Sequence, residues 1–352
     1  MEKVMKKDTT KDMTQGSPMK LILGFSVPLL FGFLFQQLYS MVDTIIVGRF
    51  LGVNALAGVG STGSLNFLII GFCMGVCNGF AIPLAHMFGA KDYSGLRRFM
   101  ANGVWLSILF SAVMTVLTTV FCRQMLTAMK TPEDIFAHAY GYIFIIFLGI
   151  PATYLYNMLS GIIRAMGDSK TPLVFLTLSS VLNIALDLVC ILVLHMGVAG
   201  AAVATVASQA VSGVLCLIYM VYKFPLLRVK KEEWRMNLPY MKTLCGMGVP
   251  MGLQYSITAI GSVILQSAVN TLGASAVASV TAAGRVSMFF CCPYDAMGST
   301  MATYGGQNVG AKKPERLGLG IRACMKIAAV YSVMALAILY FFGAQLASLF
   351  VD

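Results

Sequence analysis

The chain has 352 residues, of which 58% are hydrophobic and only 11% are charged, and its formal net charge is +11. A soluble globular protein carries roughly a quarter charged residues, so this composition excludes an ordinary water-soluble fold. The basic residues are divided among separate short segments, which argues against a nucleic-acid-binding protein.

Long apolar runs recur along the chain, each near the roughly 20 residues that a helix needs to cross a bilayer. The sequence therefore predicts an all-α polytopic membrane protein. Short alternating segments of the kind that build a transmembrane β-barrel are absent from the sequence. The nine predicted spans lie at residues 20–47, 55–84, 95–122, 135–163, 171–196, 199–223, 240–271, 275–308 and 317–350.

The basic residues are spread unevenly over the predicted loops. Most of the 25 Lys and Arg residues fall in the tail before residue 21 and in the segments 91–98, 164–170, 223–242 and 312–326. These five segments alternate with loops that carry few basic residues. The positive-inside rule therefore predicts a cell-membrane protein with a cytoplasmic N-terminus and, because nine is odd, an extracytoplasmic C-terminus.

Three segments of the first half recur in the second half at an offset of 221 or 222 residues. "FSVPLLFG" (25–32) resembles "MGVPMGLQ" (247–254), "RFLGVNALAGV" (49–59) resembles "NTLGASAVASV" (270–280), and "FGAKD" (88–92) resembles "VGAKK" (309–313). Such a repeat contains six spans and returns the chain to the same side. We therefore expect two halves related by an axis along the membrane normal.

The repeat also predicts the domain organisation. It consists of a tail at 1–19, a six-helix lobe at 20–223, a cytoplasmic linker at 224–239 and a partial lobe of three helices at 240–352. The second half ends after three of its six spans. We therefore expect the sequence to be a fragment that lacks the C-terminal part of the protein, with a genuine nine-span protein as the alternative.

Carboxylates interrupt the apolar spans. Asp43 lies on the first span, and Asp187 lies on the fifth, in "VLNIALDLVCILVL", where it shares a helical face with Asn183. We expect no Lys or Arg at mid-membrane depth in the first half that could pair with either aspartate. The two carboxylates should therefore meet near the outer side of the membrane and share a proton or hold a cation. Asp295 on the eighth span is the third intramembrane carboxylate. For this residue a local helix break after Pro293 is a structural alternative to a role in transport.

Other chemistries find little support in the sequence. The nine cysteines and three histidines show no metal-site or redox spacing, and the spans contain no Ser/His arrangement or paired His/Glu site. The sequence therefore argues against an intramembrane enzyme and predicts no cofactor and no metal beyond a coupling ion.

From about residue 17 to its end, the chain resembles the multidrug and toxic compound extrusion (MATE) transporters. The segments that carry the resemblance are "VPLLFGFLFQQLYSMVDTIIVGRFLG", "RAMGDSKTP", "LNIALDLV" and "GGQNVGAKKPER". The resemblance implies a fold of two six-helix lobes around a central cavity, here with an incomplete second lobe. It implies export of organic, often cationic, compounds in exchange for H⁺ or Na⁺. The seventh span has no acid where some members carry one, which favours the DinF-like branch.

The resemblance also suggests roles for individual residues. It implies a site for H⁺ or Na⁺ at Asp43, Asp187, Asn183 and Thr205, and a helix bend at Pro28. The expected substrate pocket includes Tyr39 and Asn157, and polar stripes extend it to Gln36, Gln254 and Thr258. Hydrogen bonding between neighbouring helices remains an alternative reason for the stripe on the seventh span.

The same resemblance predicts the partners. They are small organic, cationic substrates and membrane lipids, with no nucleic acid, and the protein is expected to act as a monomer. The alternative function is a flippase for lipid-linked precursors or oligosaccharides of the same wider class. Such cargo is anionic and calls for basic residues, whereas the charges predicted at mid-membrane depth in the first half are acidic.

Overall fold

The computed structural model describes residues 10–270 and 274–348. Twelve α-helices account for most of these residues, and no β-strand occurs among them. The helices are α1 (Pro18–Leu51), α2 (Val53–Ser61), α3 (Gly63–Gly89), α4 (Tyr93–Val120), α5 (Cys122–Ala128), α6 (Glu133–Leu148), α7 (Ile150–Ala165), α8 (Lys170–Leu188), α9 (Val198–Lys223), α10 (Leu238–Asn270), α11 (Ala274–Gly310) and α12 (Pro314–Ser348).

Seven of the described helices are long and apolar enough to cross a membrane, and α6 with α7 would make an eighth span that is bent by 48°. The helix α11 is not among them, because its 37 residues include Arg285, Asp295 and many Gly, Ser and Thr. The predicted span at 275–308 therefore falls on a helix outside this set, and the count of nine spans stays a prediction. The predicted span at 55–84 falls on two separate helices, α2 and α3, so its bounds were wrong.

The two halves of the chain, α1–α9 and α10–α12, meet through reciprocal contacts. Gly89 packs against the backbone of Gln307, and Gly310 packs against the backbone of His86. In each pair of equivalents, 86 with 307 and 89 with 310, the second number exceeds the first by 221. Contacts that are repeated with the partners exchanged are typical of a twofold axis. Gly89 and Gly310 lie at one end of the bundle, as the repeat predicts.

Glycines bring the two halves into close backbone contact. Gly75 and Gly79 of α3 face Gly248 and Gly252 of α10, and a Cβ atom on Gly79 would stand 2.5 Å from the Cα of Gly248. Both helices therefore use a small residue at every fourth position, a pattern that allows helices in a membrane to approach closely.

Residues 10–17 cross the end of the bundle and contact both halves. The Met13 N–H donates to Gln307 Oε1 (2.9 Å), while Gln307 Nε2 donates to the carbonyl of Ala165 (2.9 Å). The Lys313 ammonium donates to the carbonyl of Thr14 (2.9 Å). We call this end, which carries residues 10–17, 90–92, 166–169 and 311–313, the basic end.

The segment between the halves is fastened to α4. The Arg97 guanidinium donates two hydrogen bonds of 2.7 Å to the carboxylate of Glu233, and Ser94 donates a third of 3.3 Å. These donors, Arg97 first, lower the pKa of Glu233 from 4.5 to about 2. The linker predicted at 224–239 is therefore a fixed connection that carries two short 3-10 turns.

Candidate functional site

The two intramembrane carboxylates of the first half lie together. Asp43 on α1 and Asp187 on α8 have carboxyl groups within hydrogen-bonding reach of each other. The phenol groups of Tyr39 on α1 and Tyr142 on α6 interact electrostatically with both. Three helices, α1, α6 and α8, therefore converge on one acidic position.

Acceptor oxygens outnumber donors at this position. Asp187 is fully buried, and neither of its oxygens has a donor among the described residues; the same holds for Oδ1 of Asp43 and Oδ1 of Asn183. Asn183 Nδ2 donates to the hydroxyl oxygen of Thr205 (3.3 Å), which donates to the carbonyl of Ala201 (3.0 Å). We call Asp43, Asn183, Asp187 and Thr205 the carboxylate cluster.

The carboxylate cluster suits a proton or a hard cation. Two carboxylates in contact are both acceptors, so their contact requires a shared proton or a cation between them. Oxygen atoms are also the ligands that hard cations prefer. The described residues contain no group of three or more His, Cys, Asp or Glu side chains that could hold a metal ion.

A change of helix type follows the buried aspartate directly. The α-helix α8 ends at Leu188 and continues as a π-helical turn at Val189–Val193. Such turns widen a helix and are frequent at functional sites. The π-helical turn packs against the start of α9, where Gly200 lies beside Cys190.

A second candidate site is a cavity between the two halves, which we call the inter-half cavity. It has a volume of about 370 Å³ and lies between α3 and α7 of the first half and α10 and α11 of the second. The polar side chains that line it are Asn78, Arg164, Gln254, Tyr255, Tyr294, Asp295, Ser299 and Thr303.

The residues predicted for a substrate pocket do not all meet in one place. Gln254 lines the inter-half cavity, while Tyr39 lies beside the carboxylate cluster. Gln36, Asn157 and Thr258 are not among the residues that line this cavity. The Asn157 amide donates to a backbone carbonyl one turn earlier (2.8 Å), and the Thr258 hydroxyl donates to the carbonyl of Gln254 (2.9 Å).

The structure changes the interpretation of one residue and adds another. The sequence analysis counted the charge of Arg164 with the basic loop at 164–170, yet the side chain lines the inter-half cavity and donates to Asn78 Oδ1 (2.9 Å). The spacing of seven residues between Asn157 and Arg164 places both on one polar face of the fourth predicted span. Tyr142 carried no sequence signal, since it is one of several aromatic residues of its predicted span.

The two prolines that were expected to disturb their helices do not break them. The helix α1 runs as one element through Pro28, and α11 runs as one element through Pro293. A helix break therefore does not explain Asp295. Its carboxylate instead lines the inter-half cavity.

Comparison with known proteins identifies the family. The MatE family model matches residues 28–189 and 250–352. Two probable multidrug resistance proteins of Bacillus subtilis are similar: YoeA is 30% identical over 93% of this chain and 72% of its own length, and YpnP is 31% identical over 87% and 68%.

Solved structures agree with this result. A MOP superfamily transporter from Pyrococcus furiosus superimposes with a TM-score of 0.91 at 27% identity, covering 98% of this chain and 77% of its own. An outward-facing multidrug resistance MATE family transporter superimposes with a TM-score of 0.90 at 26% identity, over 98% and 77%. The chain therefore belongs to the MATE family of multidrug efflux transporters, which are multi-pass membrane proteins.

Proposed function

We propose that the protein exports organic compounds with a cationic group across the cell membrane in exchange for H⁺ or Na⁺. The observation that supports this function is the contact between Asp43 and Asp187, two carboxylates on different helices with no donor among the described residues. A pair of this kind binds a monovalent cation or a proton and loses one of its two negative charges when it does so.

Binding of the ion would change the balance of forces between α1 and α8. When both carboxylates are charged they repel each other, and this repulsion disappears when a proton or Na⁺ is bound. An ion can shift a conformational equilibrium only by as much as it prefers one state, and the repulsion supplies such a preference. Pro28 would be the point where α1 bends, because proline removes one backbone hydrogen bond of the helix.

The basic loops indicate how the protein is oriented in the membrane, and this orientation determines the direction of transport. With the basic end in the cytoplasm, the halves are closed on the cytoplasmic side by the packing of Gly89 and Gly310. This corresponds to an outward-facing state. The coupling ion would then enter the carboxylate cluster from the outside, and the substrate would be released to the outside.

The test is transport by the full chain in proteoliposomes loaded with a fluorescent organic cation, with either a proton or a sodium gradient imposed. Asp187→Asn removes one charge and keeps the shape of the side chain. We expect it to reduce gradient-driven export on the order of tenfold or more, a change of about 1.4 kcal/mol. The control is Asp134→Asn, because Asp134 is exposed in the first turn of α6.

A variant that keeps concentrative export without Asp187 would contradict the proposed coupling. If neither gradient drives export by the wild-type chain, the exchange mechanism itself is wrong. The gradient that drives export identifies the coupling ion.

The alternative function is a flippase for lipid-linked precursors or oligosaccharides. One observation favours it, namely the cationic Arg164 in the inter-half cavity. A flippase would move a fluorescent lipid-linked phosphate between leaflets and would not concentrate an organic cation. The same proteoliposomes therefore separate the two functions.

A further inference from the structure

The inter-half cavity carries one fixed charge of each sign, and neither has an ion-pair partner among the described residues. The ion pair that the described residues contain is Arg97–Glu233, which lies at the linker. Arg164 belongs to the last turn of α7 in the first half, and Asp295 belongs to α11 in the second. The cavity is therefore polar in a defined direction, positive on the side of one half and negative on the side of the other.

The positive side is built around the Arg164 guanidinium. Its Nη2 donates to Asn78 Oδ1 (2.9 Å), which holds the side chain against α3. A guanidinium has five N–H donors, stays charged at every physiological pH and binds carboxylate and phosphate groups with two parallel hydrogen bonds. Asn78 and Arg164 together thus provide a prepared position for an anionic group.

The negative side is the carboxylate of Asp295. No hydrogen bond or ion pair joins it to another described residue. It lies 15 positions before Gly310, which corresponds to about 22 Å along the helix and places it near the middle of the membrane. A lone carboxylate at this depth is costly and calls for a partner of opposite charge.

An aromatic residue accompanies the two charges. Tyr255 lines the same cavity and interacts electrostatically with both Arg164 and Asp295. Tyr294, the neighbour of Asp295, lines the same cavity. Aromatic side chains bind flat apolar surfaces, so the space between the two charges suits the body of an aromatic molecule.

We propose that the inter-half cavity binds zwitterionic aromatic compounds. The anionic group of the substrate binds to Arg164 and Asn78, its cationic group binds to Asp295, and its aromatic body lies along Tyr255. A volume of about 370 Å³ falls in the range of sites for small organic molecules. This inference rests on the proposed function, since it names the substrate class of that export.

The test compares two dyes that differ in one group. Tetramethylrhodamine with a free carboxylate is a zwitterion, and its methyl ester is a cation of nearly the same shape. Equilibrium binding to the purified full chain in detergent is measured by fluorescence anisotropy at pH 7. We expect the zwitterion to bind about tenfold more tightly than the ester, because hydrogen bonds between charged groups are the strong ones.

Variants assign the preference to named residues. Arg164→Gln should remove the preference by weakening zwitterion binding about tenfold while leaving the ester unchanged, and Arg164→Lys should keep part of it. Asp295→Asn should weaken the binding of both dyes. Gly298 lines the cavity with open space around it, so Gly298→Leu should block both dyes. The control is Arg228→Gln in the exposed linker.

Several outcomes would overturn the inference: equal affinity for the two dyes, no binding of either to the wild-type chain, or a preference that survives Arg164→Gln. The measurement needs no ion gradient, so Asp187→Asn should retain the preference. A retained preference without coupled export would refute only the exchange mechanism. Coupled export without the preference would refute only the substrate class.

Discussion

Thr205 connects the carboxylate cluster to α9. Its hydroxyl oxygen accepts from Asn183 Nδ2 (3.3 Å), and this bond leaves the Oδ1 atom of Asn183 available beside Asp187. Valine has nearly the shape of threonine but cannot accept the bond. The position of the Asn183 amide therefore depends on a single hydroxyl group.

We expect Thr205→Val to weaken binding of the coupling ion about tenfold, because the Asn183 amide beside the charged carboxylates loses the hydrogen bond that holds it in place. The measurement is the ion concentration at half-maximal export. Thr127→Val is the matched control, since the Thr127 hydroxyl only donates to its own helix in an exposed position. Equal effects of both variants would show that Thr205 has no special role.

The sequence identified the acidic residues of the site better than its basic one. Asp43 and Asp187 interrupt apolar runs, and a carboxylate in such a run is unusual enough to be noticed. Arg164 lies near the end of a helix, where a basic residue is ordinary, so its charge was assigned to a loop. Only the packing of α3 against α7 shows that the guanidinium faces the inter-half cavity.

At the scale of helices, the contact between α3 and α10 depends on the absence of side chains. A Cβ atom on Gly79 would approach the Met247 carbonyl to 2.6 Å. The obstacle is backbone, which cannot move aside as a flexible side chain can. A methyl group here would push the two halves apart.

We expect Gly79→Ala to lower the free energy of unfolding by about 1–3 kcal/mol, the usual cost of overpacking. It should also make a cysteine introduced in place of Met13, at the basic end, react faster with thiol reagents. The control is Gly246→Ala on α10, where a Cβ atom would meet nothing within 4 Å. Thermal unfolding in detergent measures the first effect, and no difference between the two variants would refute the close contact.

The linker makes stability depend on pH. Because the pKa of Glu233 falls from 4.5 to about 2 on folding, its contribution to stability is complete above pH 4.5. The contribution is lost as the pH falls from about 4.5 to about 2. It should be absent at every pH in Glu233→Gln.

The measurement is the midpoint of thermal unfolding at pH 7, 4.5 and 3. We expect the difference between wild type and Glu233→Gln to shrink between pH 4.5 and pH 3. Glu232→Gln is the control, because Glu232 is the exposed neighbour on the same turn. A difference that stays constant with pH would refute the assignment of the lowered pKa.

In the whole molecule, residues 10–17 form part of the closure at the basic end. Gln307 is fully buried and joins three parts of the chain: the tail at Met13, the first half at Ala165 and the second half on α11. Opening this end requires both hydrogen bonds to break. The tail thus contributes to the stability of one conformation.

We expect Gln307→Ala to destabilise the closed state by about 1–3 kcal/mol, because buried partners lose their hydrogen bonds. A cysteine at Met13, which is 1% exposed, should then react with thiol reagents on the order of tenfold faster. Gln124→Ala, at an exposed position on α5, is the control. Unchanged reactivity would contradict a role for the tail in closure.

The overall organisation could be predicted because duplication leaves a trace in sequence. The offset of 221 placed Gly89 and Gly310 at one end before any contact was known. The bend between α6 and α7 was not predicted, since it occurs at Gly149 within an apolar run, where Val206 of α9 packs closely. Such a bend depends on tertiary packing, which cannot be seen in a local sequence pattern.

The reciprocal contacts have a consequence for biosynthesis. In the folded protein α3 packs against α10, and α1 packs against α11, which are equivalent pairs under the repeat. A first half that has entered the bilayer therefore already carries both complementary faces and can pair with the first half of another molecule. The short segment fastened to α4 by Glu233 opposes this exchange. It keeps the second half at a high effective concentration beside its own partner, so assembly within one chain outcompetes assembly between chains.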